Sequence, residues 1–239
     1  MPRKTRRNYR RRRRNNRGFN RKPKLLSIGP YMPQSIICKH KMSVTYALSQ
    51  NYQDTGIGAE QLQSFRVNSL YDADTSVSGA QQPRMMDEMK ALYNTYRVLG
   101  CKIFLKFINI SQEPVYVMGL LGDQQLAAGD SHMPSDIREL KGSQSKILHS
   151  LDSGDKSVQT LVFNYSPNLI EGCSKSRIRN DPKFEALGSS HPEEIHYLST
   201  CIHQVSTSLG GQENATVQVE ATFHWTALWN DRKILEDSN

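Results

Sequence analysis

TVQVEATFHWTALW, residues 216–229, decides the fold class. Val217, Val219, Ala221, Phe223, Trp225, Ala227 and Trp229 fall on one side. Thr216, Gln218, Glu220, Thr222, His224 and Thr226 fall on the other. A strict period of two over this length is that of a β-strand with one buried face. A helical period would scatter the same apolar residues around the surface.

The alternation returns near the other end of the chain. Ile36, Cys38, His40, Met42, Val44, Tyr46 and Leu48 point one way, and Lys39, Lys41, Ser43 and Thr45 the other. Between these segments lie six further strand candidates, at about 61–71, 96–109, 115–122, 145–151, 158–165 and 195–205, which makes eight. Gly100 interrupts the third segment and marks a bulge or bend. Met85, Met86, Met89, Leu92, Tyr93 and Tyr96 recur at three- and four-residue spacing behind Pro83, which predicts a helix over 84–95. A short second helix is expected at 134–141.

Short and long joins alternate along the chain. Those at 111–114, 152–156 and 207–213 are short; those at 72–95, 123–144 and 166–194 are long. Eight strands joined this way fit an all-β fold, an eight-stranded antiparallel jelly roll of two packed sheets. A parallel α/β sheet does not fit so many loop-separated strands. The long joins at 72–95 and 166–194, with Gly, Ser, Pro and mixed charge, are expected on an outer surface, carrying receptor or antibody contacts.

The net charge of +8 hides a partition. Residues 1–24 carry Arg3, Lys4, Arg6, Arg7, Arg10, Arg11, Arg12, Arg13, Arg14, Arg17, Arg21, Lys22 and Lys24, 13 cations and no acid. Of the chain's 31 Lys/Arg, 18 therefore remain in the other 215 residues against all 23 Asp/Glu, a net of −5. Like charges at such density repel, and no apolar periodicity offers a face to bury, so the arm is expected to be disordered until a polyanion neutralises it. Arginine outnumbers lysine in it. Guanidinium pairs bidentately with phosphate and stacks on bases, which suits single-stranded nucleic acid, with Tyr9 and Phe19 as further stacking platforms. Engagement of the whole arm would make log K fall against log salt with a slope of about −9. The plainer alternative is a solvated tail or a nuclear localisation signal alone.

Two further segments of the chain then look familiar. FRVNSLYDAD at 65–74 and YNTYRVLGCKIFLKFINIS at 93–111 resemble capsid proteins of circovirus-like viruses, small circular single-stranded DNA viruses that encode a replication protein. The arginine-rich arm and the Trp-containing last strand occupy the family's usual places. The resemblance implies a single jelly roll, sixty copies in a T = 1 shell, arms facing inward and loops outward. It also implies a packaged single-stranded DNA genome, nuclear import receptors as partners, a host-cell receptor of unknown identity, and a location in the virion and, during assembly, the host nucleus. Lys39 and Lys41, following the arm on the polar face of the first strand, would extend the inner basic surface, or else form an ordinary solvated or inter-subunit face.

The expected organisation is a nucleic-acid-binding arm and nuclear localisation signal at 1–24, a linker at 25–35 containing Gly29, Pro30 and Pro33, a shell domain at 36–230 and a tail at 231–239. No apolar run approaches the roughly 20 residues that span a bilayer, and the basic start lacks a secretory h-region, so the chain is expected to be soluble and made in the cytosol. Cys38, Cys101, Cys173 and Cys201 are scattered and are read as free thiols. The acceptor patterns at Asn109, Asn164 and Asn214 are read as chance.

No enzyme, cofactor or metal is expected. His191-Pro-Glu-Glu-Ile-His196 lacks the zincin spacing, and the chain has neither a phosphate-binding GxxxxGK[ST] loop nor a GxSxG elbow. Cys38 with His40, and Cys201 with His203, each share a strand face and could offer two zinc ligands. Both pairs lie on mostly apolar faces, where a buried thiol and a hydrogen-bonded histidine are the commoner outcome. Asp72 and Asp74 fit a turn. Two other functions remain open: the coat of a small RNA or satellite virus, or a cellular nucleic-acid-binding protein with a basic tail. The latter would favour a basic body, whereas this one is acidic.

Overall fold

The computed structural model describes residues 33–51, 59–75, 81–127, 134–205 and 214–233. The arm at 1–24, most of the linker and the expected turn at 207–213 lie outside them. Nine strands follow in order: β1 (Ile36–Gln50), β2 (Leu62–Arg66), β3 (Tyr93–Asn109), β4 (Val115–Gly122), β5 (Ser143–Leu148), β6 (Val158–Tyr165), β7 (Ala186–Leu187), β8 (Tyr197–Gln204) and β9 (Ala215–Arg232). The first sheet runs β1-β9-β3-β6, with β7 pairing on β3, and the second runs β2-β8-β4-β5. All pairings are antiparallel. The chain changes sheet at every connection except β4–β5 and the detour through β7. This is the expected jelly roll, with β7 as an added two-residue strand.

The alternation at 216–229 is realised as a register. His40 faces Trp225, Met42 faces Phe223 and Val44 faces Ala221 on the buried side of β1 and β9. The core between the sheets holds Phe65, Phe107, Phe163, Ile202, Phe223 and Trp225, all essentially inaccessible. Phe223 stacks on Trp225 at 5.0 Å, and Phe65 packs on Phe223 at the same centroid distance. Both indoles find acceptors, as buried Trp N–H groups must: Trp225 donates to the Val67 carbonyl at 2.8 Å, and Trp229 donates to His40 Nε2 at 3.0 Å. At Gly119 the sheets approach so closely that an added Cβ would lie 2.6 Å from the Phe163 ring.

Two boundaries differ from expectation for physical reasons. The helix α1 covers only Met86–Leu92, and β3 begins at Tyr93. The Tyr93 and Tyr96 side chains repeat at a spacing that suits a helix, but their backbones pair with Arg232 and Trp229 of β9. Aromatic residues favour such a half-buried pleated setting. The expected strand over 61–71 shortens to β2. Beyond it the chain turns at Asp72, whose φ is +47°, and returns to bridge Phe65 with Asp74. The irregularity expected near Gly100 is present: the β3–β9 register shifts between Val98 and Gly100.

Helix α2 (Pro134–Glu139) lies within the β4–β5 connection, and α3 (Pro167–Ile170) and α4 (Lys175–Asn180) within the β6–β7 connection. Ile137 of α2 belongs to a second apolar cluster, with Met118, Leu120, Leu126 and Cys201.

Candidate nucleic-acid interface

Of the fifteen cations singled out in the sequence, the thirteen of the arm lie outside the described residues. Lys39 and Lys41 are described, and both are exposed on the solvent side of β1. The pairing of β1 with β9, and of β9 with β3, carries a row across the sheet: Lys41, His224, Lys102 and Asn164 stand side by side on four neighbouring strands. The next row on one side is Lys39, Thr226 and Gly100; on the other it is Ser43, Thr222, Phe104 and Val162. Strands lie about 4.8 Å apart and rows about 7 Å apart, so these side chains share one patch.

The patch is an open depression of about 630 Å³ bordered by Lys39, Lys41, Lys102, Phe104, Asn164 and His224. Gly100 puts no side chain into it. Phe104 is half-buried, with its ring edge-on to His224 at 5.9 Å, and the Lys102 ammonium sits 5.0 Å from the ring centroid. Two described acids lie on the strands of this sheet: Glu220, which Lys106 neutralises at 3.0 Å, and Asp231 near the end of β9, which accepts from the Asn94 amide at 2.8 Å. Lys39, Lys41 and Lys102 have no carboxylate within ion-pair distance among the described residues, so the patch carries a local positive excess on a body that is acidic overall. Arg84, exposed beside β1, adds to it; its amide donates to the Lys41 carbonyl at 3.3 Å.

The sequence names the two lysines of β1 as candidates; Lys102, Phe104, Asn164 and His224, which the sheet places beside them, are not among the residues it singles out. The alternation already put His224 on the polar side of its strand and implied the same for Lys102. What it lacked was the order β1-β9-β3-β6, which gathers residues 41, 102, 164 and 224 into one row.

The other singled-out residues serve structure. His40 donates from Nδ1 to the Arg84 carbonyl at 3.2 Å and accepts the Trp229 indole on Nε2. Both ring nitrogens are thus committed, and burial lowers the pKa of the ring. Cys38 contacts the Met89 sulfur at 3.8 Å. Burial pushes the Cys201 thiol up to about 12, which opposes thiolate ligation. Among the described residues no three His, Cys, Asp or Glu side chains gather as a metal site. Asn109 is fully buried and donates to the Glu113 and His149 carbonyls, a setting closed to glycosylation in the folded chain.

No family model matches the sequence, and no curated protein matches it. Among solved structures, likenesses are found to virus particles and capsid proteins. A semi-empty virus-like particle of Macrobrachium rosenbergii nodavirus is 9% identical, with 84% of this chain and 96% of that chain covered and a TM-score of 0.47. The 60-mer of the BFDV capsid protein is 9% identical, with 87% and 100% covered and a TM-score of 0.43. Desmodium yellow mottle tymovirus is 10% identical, with 83% and 92% covered and a TM-score of 0.39. The jelly-roll assignment rests on the strand order and register above.

Proposed function

We propose that this chain is the coat protein of a small icosahedral virus. Sixty copies form a T = 1 shell and package single-stranded DNA through the arm at 1–24. The observation that carries the reading is the segregation of charge: 13 cations without an acid precede a jelly-roll body of net −5. A body of that sign does not compete with the arm for the genome, and a basic arm tethered to a shell-forming domain neutralises phosphate where the shell encloses it. The choice of DNA rests on the resemblance of residues 65–74 and 93–111 to circovirus-like capsids. In this reading the arm also serves nuclear import, and the long connections face outward toward receptor or antibody.

The test is the nucleic acid that full-length assemblies protect. Particles are treated with nuclease, extracted, and the extract digested separately with a single-strand-competent DNase and with RNase. DNase-sensitive material supports the proposal. RNase-sensitive material moves the chain to the RNA-virus or satellite reading. Protection of neither contradicts packaging.

A further inference from the structure

We infer that the depression on the first sheet seats one unstacked nucleobase of a single strand against Phe104, with flanking phosphates on Lys41 and Lys102. The inference rests on the packaging reading and goes beyond it: it adds to the arm a stacking site on the folded body, one that distinguishes a single strand from other polyanions.

Three observations carry it. First, Phe104 is an aromatic ring left partly accessible in the middle of a sheet face whose other positions are mostly polar. Every base has a π-face, so an exposed ring among cations is a stacking platform indifferent to sequence. Second, cations unpaired among the described residues lie to one side of the ring: Lys102 sits 5.0 Å from its centroid, and Lys41 stands two strands away in the same row as Lys102 and His224. Third, the space is present. Gly100 leaves the row beyond Lys102 without a side chain on β3, and the exposed Asn164 amide at the rim offers both a donor and an acceptor to a base edge. The site is also covalently close to the arm, since Lys24 precedes Lys39 by 15 residues. A duplex hides its base faces in the stack and cannot use the platform; inorganic polyphosphate has no base to offer.

The experiment uses the full-length chain. F104W is titrated with oligothymidylate, with a duplex of equal length and with inorganic polyphosphate. Binding is followed by sedimentation, and stacking by the emission of the indole introduced at position 104. Oligothymidylate is expected to quench that emission several-fold more than the duplex or polyphosphate. F104L, which keeps an apolar side chain at this half-buried position, is expected to weaken oligothymidylate binding roughly 5- to 150-fold while leaving polyphosphate binding unchanged. Oligouridylate in a parallel arm tells whether RNA is accepted equally. Equal quenching by all three polyanions would overturn the inference, as would ultraviolet crosslinks to oligothymidylate confined to residues 1–24. Failure of every polyanion to bind is a different result, and sinks the packaging reading itself.

Discussion

His40 shows how a single side chain links fold and pH. Its Nε2 is the acceptor for the buried Trp229 indole, and its Nδ1 proton goes to the Arg84 carbonyl. Desolvation lowers its pKa in the folded chain, so the unfolded chain takes up the proton first. The stability it contributes is complete above about pH 6.5 and is lost as the pH falls below that toward the folded value. His191 is shifted in the same direction, again chiefly by burial. Urea unfolding between pH 7.5 and 5 should therefore show falling stability with acid, and His40→Gln should flatten that slope. His40→Leu should cost about 1–3 kcal/mol at pH 7.5, because it leaves the Trp229 N–H buried without a partner. At Gly119 the expectation is steric. Gly119→Ala drives a methyl into the Phe163 ring and should cost about 1–3 kcal/mol, read as a lower urea midpoint with an unchanged slope. The sequence placed His40 on a buried strand face because alternation fixes that face. It could not show the partner 189 residues away, since cross-strand register is a property of the assembled sheet.

At the scale of elements, the long connections are held by buried polar contacts. Arg97 of β3 points out of the sheet yet is buried, because the β6–β7 connection covers it. Its guanidinium donates to the carbonyls of Ile178 and Arg179 and pairs with Glu185 at 2.8 Å. His196, just before β8, contacts Glu171 at 2.7 Å on one nitrogen and the Tyr165 hydroxyl at 2.8 Å on the other. Arg97→Met should leave the Ile178 and Arg179 carbonyls without this donor and the Glu185 carboxylate with only the Thr95 hydroxyl, and cost about 3 kcal/mol. Limited proteolysis should then cut within 166–194 before the sheets unfold; cleavage indistinguishable from the parent chain would contradict this anchoring. The edge of β6 is guarded similarly: Gln144 and Lys146 of β5 donate to the Val162 and Thr160 carbonyls at 2.9 Å. That covers acceptors which would otherwise pair with a foreign strand. Strand identity was legible because period two is local; the ends were not. Tyr93 and Tyr96 fit a helical spacing, and only their pairing with β9 makes them strand. β7, two residues long, leaves no periodicity to read.

At the scale of the molecule, two charge systems of different origin stand out. The arm is visible in the sequence as a run. The sheet patch is not, because Lys39, Lys41, Lys102 and His224 are spread over 186 positions and meet only through the strand order. The two should separate in salt titrations. Replacing Lys39, Lys41 and Lys102 together with Gln should reduce the slope of log K against log salt for a single strand by about 2, whereas removing the arm should remove most of it. An unchanged slope in the lysine variant would exclude the patch from phosphate contact.

The most direct test of the coat-protein account is negative-stain microscopy combined with the 260/280 absorbance ratio, on the full-length protein and on a chain lacking residues 1–24. The account predicts uniform shells for the full chain, with a nucleic-acid absorbance that falls when the arm is removed. A monodisperse monomer that binds nucleic acid but forms no shells at any salt or pH would contradict it, and would favour a cellular binding protein with a basic tail.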